Sequence, residues 1–183
     1  MVILLDNVSL FTGSSNVPDA VVIIEDGLIS SIESGGLKDL SVDTRIDLEG
    51  RCLVPGFVDI QVNGGGGVLF NNAPTVDSLR TIADAHAKYG TTSILPTLIS
   101  DDFSVMRAAI AAVREAINEG VPGILGIHLE GPFLNPKRKG AHDARKFRVL
   151  DDEAIEILTS LGNDAVTLVT LAPELTPHKR ISE

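Results

Sequence analysis

The sequence predicts an α/β chain in which a small β-rich module precedes a series of strand–helix units. Short alternating or apolar runs, separated by Gly, Ser, Asn and Asp, fill the first 53 positions. From residue 54 onward, longer segments with helical spacing alternate with almost wholly apolar strands. The 183 residues, 44% of them apolar, suffice for a sizeable core. We therefore expect two domains, residues 1–53 and residues 54–183.

The first module is predicted to consist of short strands joined by tight turns. The candidate strands are residues 2–11, 19–25, 28–32 and 45–48. Asp26-Gly27 separates the second strand from the third and is typical of a two-residue hairpin turn. We therefore expect a hairpin here.

The second part is predicted to alternate strands with helices. The strands begin near Phe57, Thr92, Gly123 and Val166, and the helices span residues 76–89, 101–118 and 151–161. Thr75 and Asp151 are expected to cap helix N-termini, Gly90 to end the first helix, and Pro96 to end the second strand. Apolar strands that alternate with helices indicate a parallel sheet covered by those helices.

Polar side chains fall where each predicted parallel strand ends. They are Asp59 and Gln61, then Thr97, then His128 and Glu130, then Glu174. In a (β/α)8 TIM-type barrel, functional groups lie at the C-terminal ends of the strands. Four units make half of such a barrel, and an open four-stranded sheet with apolar edges would be a poor monomer. We therefore expect the N-terminal half of a (β/α)8 barrel in a chain that is truncated or needs its missing half.

Composition narrows the range of partners and locations. With 15 Lys and Arg against 25 Asp and Glu, the net charge of −10 argues against nucleic acid and against anionic membranes. No apolar stretch approaches the ~20 residues of a membrane span. The single cysteine, Cys52, excludes an intramolecular disulfide and favours a cytoplasmic location. We expect Cys52 to be a small buried residue and His86, on the apolar face of a helix, to be structural.

The most informative segment is His-Leu-Glu-Gly-Pro-Phe at residues 128–133. A carboxylate and an imidazole at the end of a buried strand are costly to place unless something pairs with them. Glu130 is therefore a candidate metal ligand or catalytic residue, with an exposed loop glutamate as the alternative. His128 either shares this role or is a buried structural histidine. Divalent metals require three or four protein ligands, so partners of Glu130 must come from elsewhere.

Three weaker features accompany this segment. Gln61 and Asn63 alternate along a strand and can hold a water or a substrate hydroxyl, or they are a polar strand end feeding a turn. The glycine run 64–67 is either an anion-binding nest or a loop that needs positive φ. The basic segment 137–139, with His142, can bind a phosphate or a sugar hydroxyl, or its cations are solvated surface.

Five segments in a fixed order resemble one known family. They are residues 54–64, 95–99, 128–135, 139–142 and 169–174. Through them the chain resembles the N-terminal half of the N-acetylglucosamine-6-phosphate deacetylases, within the amidohydrolase superfamily. The resemblance implies a (β/α)8 barrel with a small β-sandwich built partly from the N-terminus. It also implies hydrolysis of the acetamide of N-acetylglucosamine 6-phosphate to glucosamine 6-phosphate and acetate, in amino-sugar catabolism.

The resemblance extends to single residues. By position, Glu130 resembles the metal-binding glutamate, and Ala141 and His142 resemble the substrate-contacting pair. Many amidohydrolases carry His-x-His where this chain has Gln61 and Asn63, which resembles the subgroup with one divalent ion, zinc, iron or similar, and Gln61 near a metal-bound water. The resemblance implies that the catalytic Asp and two metal-binding His lie outside residues 1–183, and that the full-length protein is a homodimer.

Two alternatives accompany this hypothesis. One is a different amidohydrolase acting on an N-acyl sugar or a cyclic amide. The other is a non-catalytic half-barrel that serves as a binding or assembly module. If the chain lacks the catalytic Asp, we expect residues 1–183 alone to have no deacetylase activity.

Overall fold

The computed structural model describes residues 1–35 and 41–182 and divides into two compact units, Met1–Pro55 and Gly56–Glu183. The first unit contains one five-stranded sheet. Its strands are β1 (Val2–Phe11), β2 (Asn16–Glu25), β3 (Leu28–Ser34), β4 (Thr44–Asp47) and β5 (Cys52–Leu53). Their order is β3-β2-β1-β4, and β5 also pairs with β1. β1 runs antiparallel to β2 and parallel to β4 and β5.

The predicted hairpin is confirmed. Asp26 and Gly27 connect β2 to β3 with φ angles of 49° and 83°, which match the left-handed conformations of a type I′ turn. Apolar residues of β1 and β2 alternate between two separate clusters, one around Val8 and Val22 and the other around Leu4 and Val21. The β-rich character of this unit is therefore confirmed, whereas the second sheet of a β-sandwich stays a prediction.

The prediction that Cys52 is buried is wrong, because its side chain is exposed. β5 is only two residues long and pairs with β1 through Ser9 and Leu10. Side chains alternate along a strand, so Leu53 packs against the cluster containing Val8 while Cys52 points to the opposite side.

The second unit is built on a four-stranded parallel sheet covered by helices. Its elements are β6 (Phe57–Val62), β7 (Gly64–Gly65), β8 (Val68–Leu69), α1 (Val76–Ala87), β9 (Thr91–Ile99), α2 (Phe103–Asn118), β10 (Gly126–Glu130), α3 (Asp152–Thr159), β11 (Val166–Thr170) and α4 (His178–Ile181). The sheet order is β11-β10-β9-β6, and β7 and β8 form a separate hairpin. Single 3-10 turns occupy Phe70–Asn72, Pro136–Arg138, Ala144–Lys146 and Pro173–Leu175.

The core of this unit lies between the sheet and its helices. Ile127 and Leu129 of β10 belong to the same buried cluster as Leu79 of α1 and Ile157 of α3. Because side chains alternate along a strand, His128 and Glu130 point to the opposite face of the sheet. The parallel α/β architecture predicted from the sequence is therefore confirmed. Within the described residues, no helix is both long and apolar enough to cross a membrane.

Both predicted helix caps are confirmed. Thr75 accepts a hydrogen bond from the backbone N–H of Ser78, and Asp151 accepts one from that of Ala154, at 3.3 and 2.9 Å. The second helix begins at Phe103 rather than at residue 101, with Asp102 at its N-cap position.

The prediction that Pro96 ends the second strand is wrong, because β9 continues to Ile99. Proline lacks a backbone donor and is tolerated in sheets at irregularities. Pro96 pairs with Val62 just after a register shift between β6 and β9, and at this irregularity the N–H of Val62 donates to Oγ1 of Thr97 at 2.9 Å. The longer strand brings Ser100 to the edge of the sheet where the polar strand ends lie. The third strand begins at Gly126, after an isolated bridge between Ile94 and Ile124.

Candidate functional site

Two predicted residues, Gln61 and His142, meet around the carboxylate of Glu130 at the C-terminal edge of the parallel sheet. Glu130, the last residue of β10, is partly buried. Nε2 of Gln61 donates a hydrogen bond to its Oε2 at 3.1 Å. Nε2 of His142 lies 3.4 Å from its other oxygen, Oε1. The carboxylate is therefore bracketed by an amide from β6 and an imidazole from the loop after β10.

The turn after Glu130 directs this loop back across the sheet edge. Gly131 has a φ of +84°, and a Cβ at this position would lie 2.3 Å from Oγ of Ser100. Only glycine therefore fits here without a shift. Further along the loop, Nδ1 of the buried His142 lies 2.8 Å from Oγ of Ser100 and accepts a hydrogen bond from its backbone N–H at 3.3 Å. The loop thus returns to the end of β9.

An ion-pair cluster anchors the end of the same loop. Nζ of Lys146 lies 3.0 Å from Asp101 and also contacts Asp102, which in turn pairs with Arg148 at 3.1 Å. Burial raises the pKa of Asp101, but hydrogen bonds from the Asp102 backbone and from Lys146 and Asn71 outweigh it and leave that pKa below its usual value. The hydrogen bonds to Asp102 and Asp101 raise the pKa of Lys146. These charges hold the loop against the start of α2.

His128 lies within a buried hydrogen-bonded layer beneath this cluster. Its Nδ1 lies 3.1 Å from Oγ1 of Thr97, and its Nε2 lies 2.8 Å from Oγ1 of Thr170. With the bond from Val62 to Thr97, the layer links all four parallel strands. Desolvation lowers the pKa of His128, and the nearby Glu130 opposes that shift. Both ring nitrogens are occupied, which favours the structural interpretation of His128.

The side chain of Glu130 lines a cleft of about 610 Å³. Its lining includes Gln61, Asn63, Glu130, Ala141, His142 and Thr170. Arg138 and Lys139 also line it and place positive charge near Glu130. The cleft therefore brings together five residues proposed for the site, Gln61, Asn63, Glu130, Ala141 and His142, whereas His128 is buried below.

Three other features singled out from the sequence have local structural roles. The glycine run forms the β7–β8 hairpin, and its turn residues Gly66 and Gly67 adopt φ angles of 59° and 84°, which accounts for the need for glycine there. Nε2 of His86 lies 3.0 Å from the carbonyl oxygen of Gly64 and so ties α1 to this hairpin. The structural role predicted for His86 is confirmed. Glu174 lies on the exposed turn after β11 and accepts a hydrogen bond from Asn135 at 2.8 Å.

Sequence reasoning missed Ser100 and Asn71. The side chain of Asn71 exchanges hydrogen bonds with both backbone groups of Ile99, at 3.1 and 3.0 Å, and so clamps the end of β9. No sequence pattern marks Asn71. Ser100 lies beyond Pro96, at which the sequence predicts the end of the strand, whereas β9 continues to Ile99.

The residues present fit part of a metal site. Glu130 offers a partly buried carboxylate that faces the cleft. Across residues 1–35 and 41–182, no group of three or more His, Cys, Asp or Glu side chains is arranged to hold a metal ion. Divalent ions need three or four protein ligands, so the described residues supply one metal ligand here, Glu130, and not a complete set.

Comparison with known proteins places this geometry in a family. The Amidohydrolase family matches residues 52–179. The chain is 41% identical over 177 residues to the N-acetylgalactosamine-6-phosphate deacetylase of Shewanella sp. (strain ANA-3), covering 95% of the chain and 44% of the relative. It is 34% identical over 168 residues to the N-acetylglucosamine-6-phosphate deacetylase of Haemophilus influenzae, covering 92% and 44%. The chain thus spans a little under half the length of these relatives.

A solved structure is similar to this chain along almost its whole length. The crystal structure of the N-acetylglucosamine-6-phosphate deacetylase from Pasteurella multocida superposes with a TM-score of 0.87 at 32% identity, covering 96% of this chain and 46% of that one. The family match covers most of the chain and includes every residue around the cleft. The chain belongs to the amidohydrolase family.

Proposed function

We propose that this chain forms part of a metal-dependent deacetylase that hydrolyses the acetamide of N-acetylglucosamine 6-phosphate to glucosamine 6-phosphate and acetate. The names of the relatives support the reaction class. The observation that carries the proposal is the Glu130 carboxylate, held by Gln61 and His142 at the mouth of a cleft whose rim is cationic.

We also propose that residues 54–183 form the first half of a (β/α)8 barrel, preceded by a β-sandwich module that includes residues 1–53. The first strand of the sheet, β6, leaves Phe57, Val58 and Ile60 more than half exposed. At the other edge, Val166 of β11 is 50% exposed. Edge strands with exposed apolar side chains, such as β6 and β11, are normally paired with another strand or covered by another element. Further strands of the same barrel would pair with both edges.

Within this proposal Glu130 is one ligand of a single divalent ion such as zinc or iron. Gln61 orients the carboxylate through its Oε2, which leaves Oε1 directed toward His142 and the cleft. When bound, the ion polarises the acetamide carbonyl and lowers the pKa of a water molecule. The other ligands and the general base come from outside residues 1–183, so this segment alone has no turnover.

The other lining residues serve the substrate. Ala141 and His142 contact the sugar, and Asn63 holds a water or a hydroxyl group. The guanidinium of Arg138 and the ammonium of Lys139 favour an anionic group such as the 6-phosphate. The assembled protein is proposed to be a homodimer, which light scattering of the purified protein tests directly.

A second candidate substrate is N-acetylgalactosamine 6-phosphate. One observation favours it: the relative with 41% identity carries that substrate in its name. The two sugars differ only in the configuration of one hydroxyl group, so the same carboxylate and the same cationic rim would serve both.

The test is acetate release by a protein that carries this segment at the full length of its relatives. We expect turnover of one or both 6-phosphates and much weaker turnover of the unphosphorylated N-acetyl sugars. Hydrolysis of a cyclic amide without acetate release would instead support another amidohydrolase. Tight binding of the phosphosugar with no turnover would support a binding module.

A further inference from the structure

Ser100 makes two contacts with the same nitrogen of His142. Its backbone N–H donates to Nδ1 at 3.3 Å, and its Oγ lies 2.8 Å from that atom. A backbone N–H can only donate, so Nδ1 must present its lone pair. A proton on Nδ1 would place two donors against each other.

The hydroxyl group of Ser100 also favours Nδ1 of His142 as a hydrogen-bond acceptor. Oγ of Ser100 can donate its proton to Nδ1 at 2.8 Å or to the carbonyl oxygen of Glu130, which is farther away at 3.5 Å. The shorter contact matches the acceptor role that the backbone already requires of Nδ1. A neutral imidazole carries one N–H, which therefore belongs to Nε2.

The surroundings of Ser100 keep this arrangement dry and fixed. Ser100 is 6% exposed and His142 is 9% exposed, so water competes weakly for Nδ1. On one side, Gly131 leaves space for the hydroxyl, because any Cβ there would meet it at 2.3 Å. On the other, Lys146 ties the loop to Asp101, the next residue after Ser100.

We propose that Ser100 is a positioning residue that locks His142 in its Nε2–H form. The imidazole then presents a hydrogen-bond donor to the cleft, 3.4 Å from Oε1 of Glu130, and keeps its lone pair turned away. The role of His142 toward the substrate rests on the proposed function. His142 binds an acceptor oxygen of the substrate, an acetamide carbonyl or a sugar hydroxyl, and does not ligate the metal.

The form of the imidazole is measured by ¹⁵N NMR on the full-length protein labelled at histidine, with and without added zinc. The His142→Gln variant assigns the signals by their loss. We expect the pattern of a neutral Nε2–H imidazole, with the unprotonated nitrogen at Nδ1, in both samples. A proton on Nδ1, or a zinc-dependent change at Nε2 typical of a metal-bound nitrogen, overturns the proposal without any variant of Ser100.

Substitutions test the role of Ser100 itself. Ser100→Ala removes the 2.8 Å contact and keeps the backbone donor, so we expect a displaced Nδ1 signal and a kcat/KM roughly tenfold lower. Ser78→Ala is the matched control, because Ser78 is equally buried at 7% and contacts Thr75 at the start of α1. If both variants leave the Nδ1 signal and kcat/KM alike, Ser100 has no positioning role.

Substitution of His142 separates a donor from a ligand. Glutamine can place an N–H near the position of Nε2, so His142→Gln should keep kcat/KM about tenfold above that of His142→Ala, with bound metal unchanged in both. Equal loss of activity with loss of metal contradicts the proposal. The NMR pattern does not depend on turnover, so an inactive wild-type protein with the expected pattern refutes the proposed function and leaves the positioning of His142 by Ser100 intact.

Discussion

Nε2 of Gln61 and Oε2 of Glu130 form a 3.1 Å hydrogen bond across 69 positions of the chain. Their strands, β6 and β10, are not neighbours, because β9 runs between them. Alternate strands of a sheet are about 9.5 Å apart, a span that two long side chains can bridge. The amide therefore reaches over β9 to orient the carboxylate.

Loss of this hydrogen bond should weaken the site without unfolding the protein. Gln61→Leu removes the donor at an exposed position, so the free energy of unfolding should change little. We expect metal affinity to fall about 10- to 100-fold, because the carboxylate loses the partner that orients it. Metal titration of the full-length protein measures this, and an unchanged affinity would show that the hydrogen bond from Gln61 does not support metal binding.

The layer around His128 should matter for stability. Thr97→Val leaves the N–H of Val62 and Nδ1 of His128 without their partner in a fully buried position. We expect the free energy of unfolding to fall by about 2 kcal/mol, measured by urea denaturation. Thr81→Val is the control, since its exposed hydroxyl bonds only within α1, and its effect should stay within about 0.5 kcal/mol. Equal effects of the two variants would contradict this account of the layer.

Asp101 should contribute to the loss of stability in acid. Its pKa is lower in the folded protein than its usual 3.8, so the folded state binds fewer protons than the unfolded state. Its contribution is therefore fully present above pH 3.8 and is lost as the pH falls through the lower folded value. We expect Asp101→Asn to cost about 1 kcal/mol at pH 7 and progressively less as the pH falls below 3.8. Urea unfolding at several pH values measures this, and a cost that does not depend on pH would contradict it.

Gly131 should tolerate no side chain. Gly131→Ala combines a φ of +84° with a Cβ placed 2.3 Å from Oγ of Ser100, so we expect a loss of about 1–3 kcal/mol in unfolding free energy. Gly140→Ala is the matched control in the same loop. Its φ is +56°, but nothing lies within 4 Å of its Cβ, so only the backbone penalty of about 1 kcal/mol remains. Thermal denaturation compares the two, and an equal or smaller loss for Gly131→Ala would argue against the close approach.

Much of the fold follows from local patterns. Alternating apolar strands and helical spacing predicted the parallel sheet, and the cap residues Thr75 and Asp151 marked two helix starts. The prediction for Pro96 is wrong because the free-energy cost of a proline in a sheet depends on whether a neighbouring strand needs its missing backbone N–H. Only the register of β6 and β9 shows that Pro96 lies just after an irregularity, where the N–H of Val62 donates to Oγ1 of Thr97.

The site was only partly predictable for a related reason. Glu130 and Gln61 could be found because strand ends of a parallel sheet gather at one edge. The position of His142 depends on how a long loop folds back, and the chemistry of a histidine says nothing about that path. Ser100 carries no motif, and its relation to Nδ1 of His142 exists only in three dimensions.

Deacetylation is proposed to require a metal ion that the carboxylate of Glu130 helps to bind. Glu130→Gln keeps the shape of the side chain and removes its charge, and Glu115→Gln on the exposed surface of α2 is the control. The decisive measurement is bound metal per chain together with acetate release from N-acetylglucosamine 6-phosphate, in the full-length protein. We predict that Glu130→Gln loses most of its metal and at least roughly 100-fold in kcat/KM, while Glu115→Gln retains both. Full metal content and unimpaired acetate release in Glu130→Gln would show that Glu130 does not hold the metal ion.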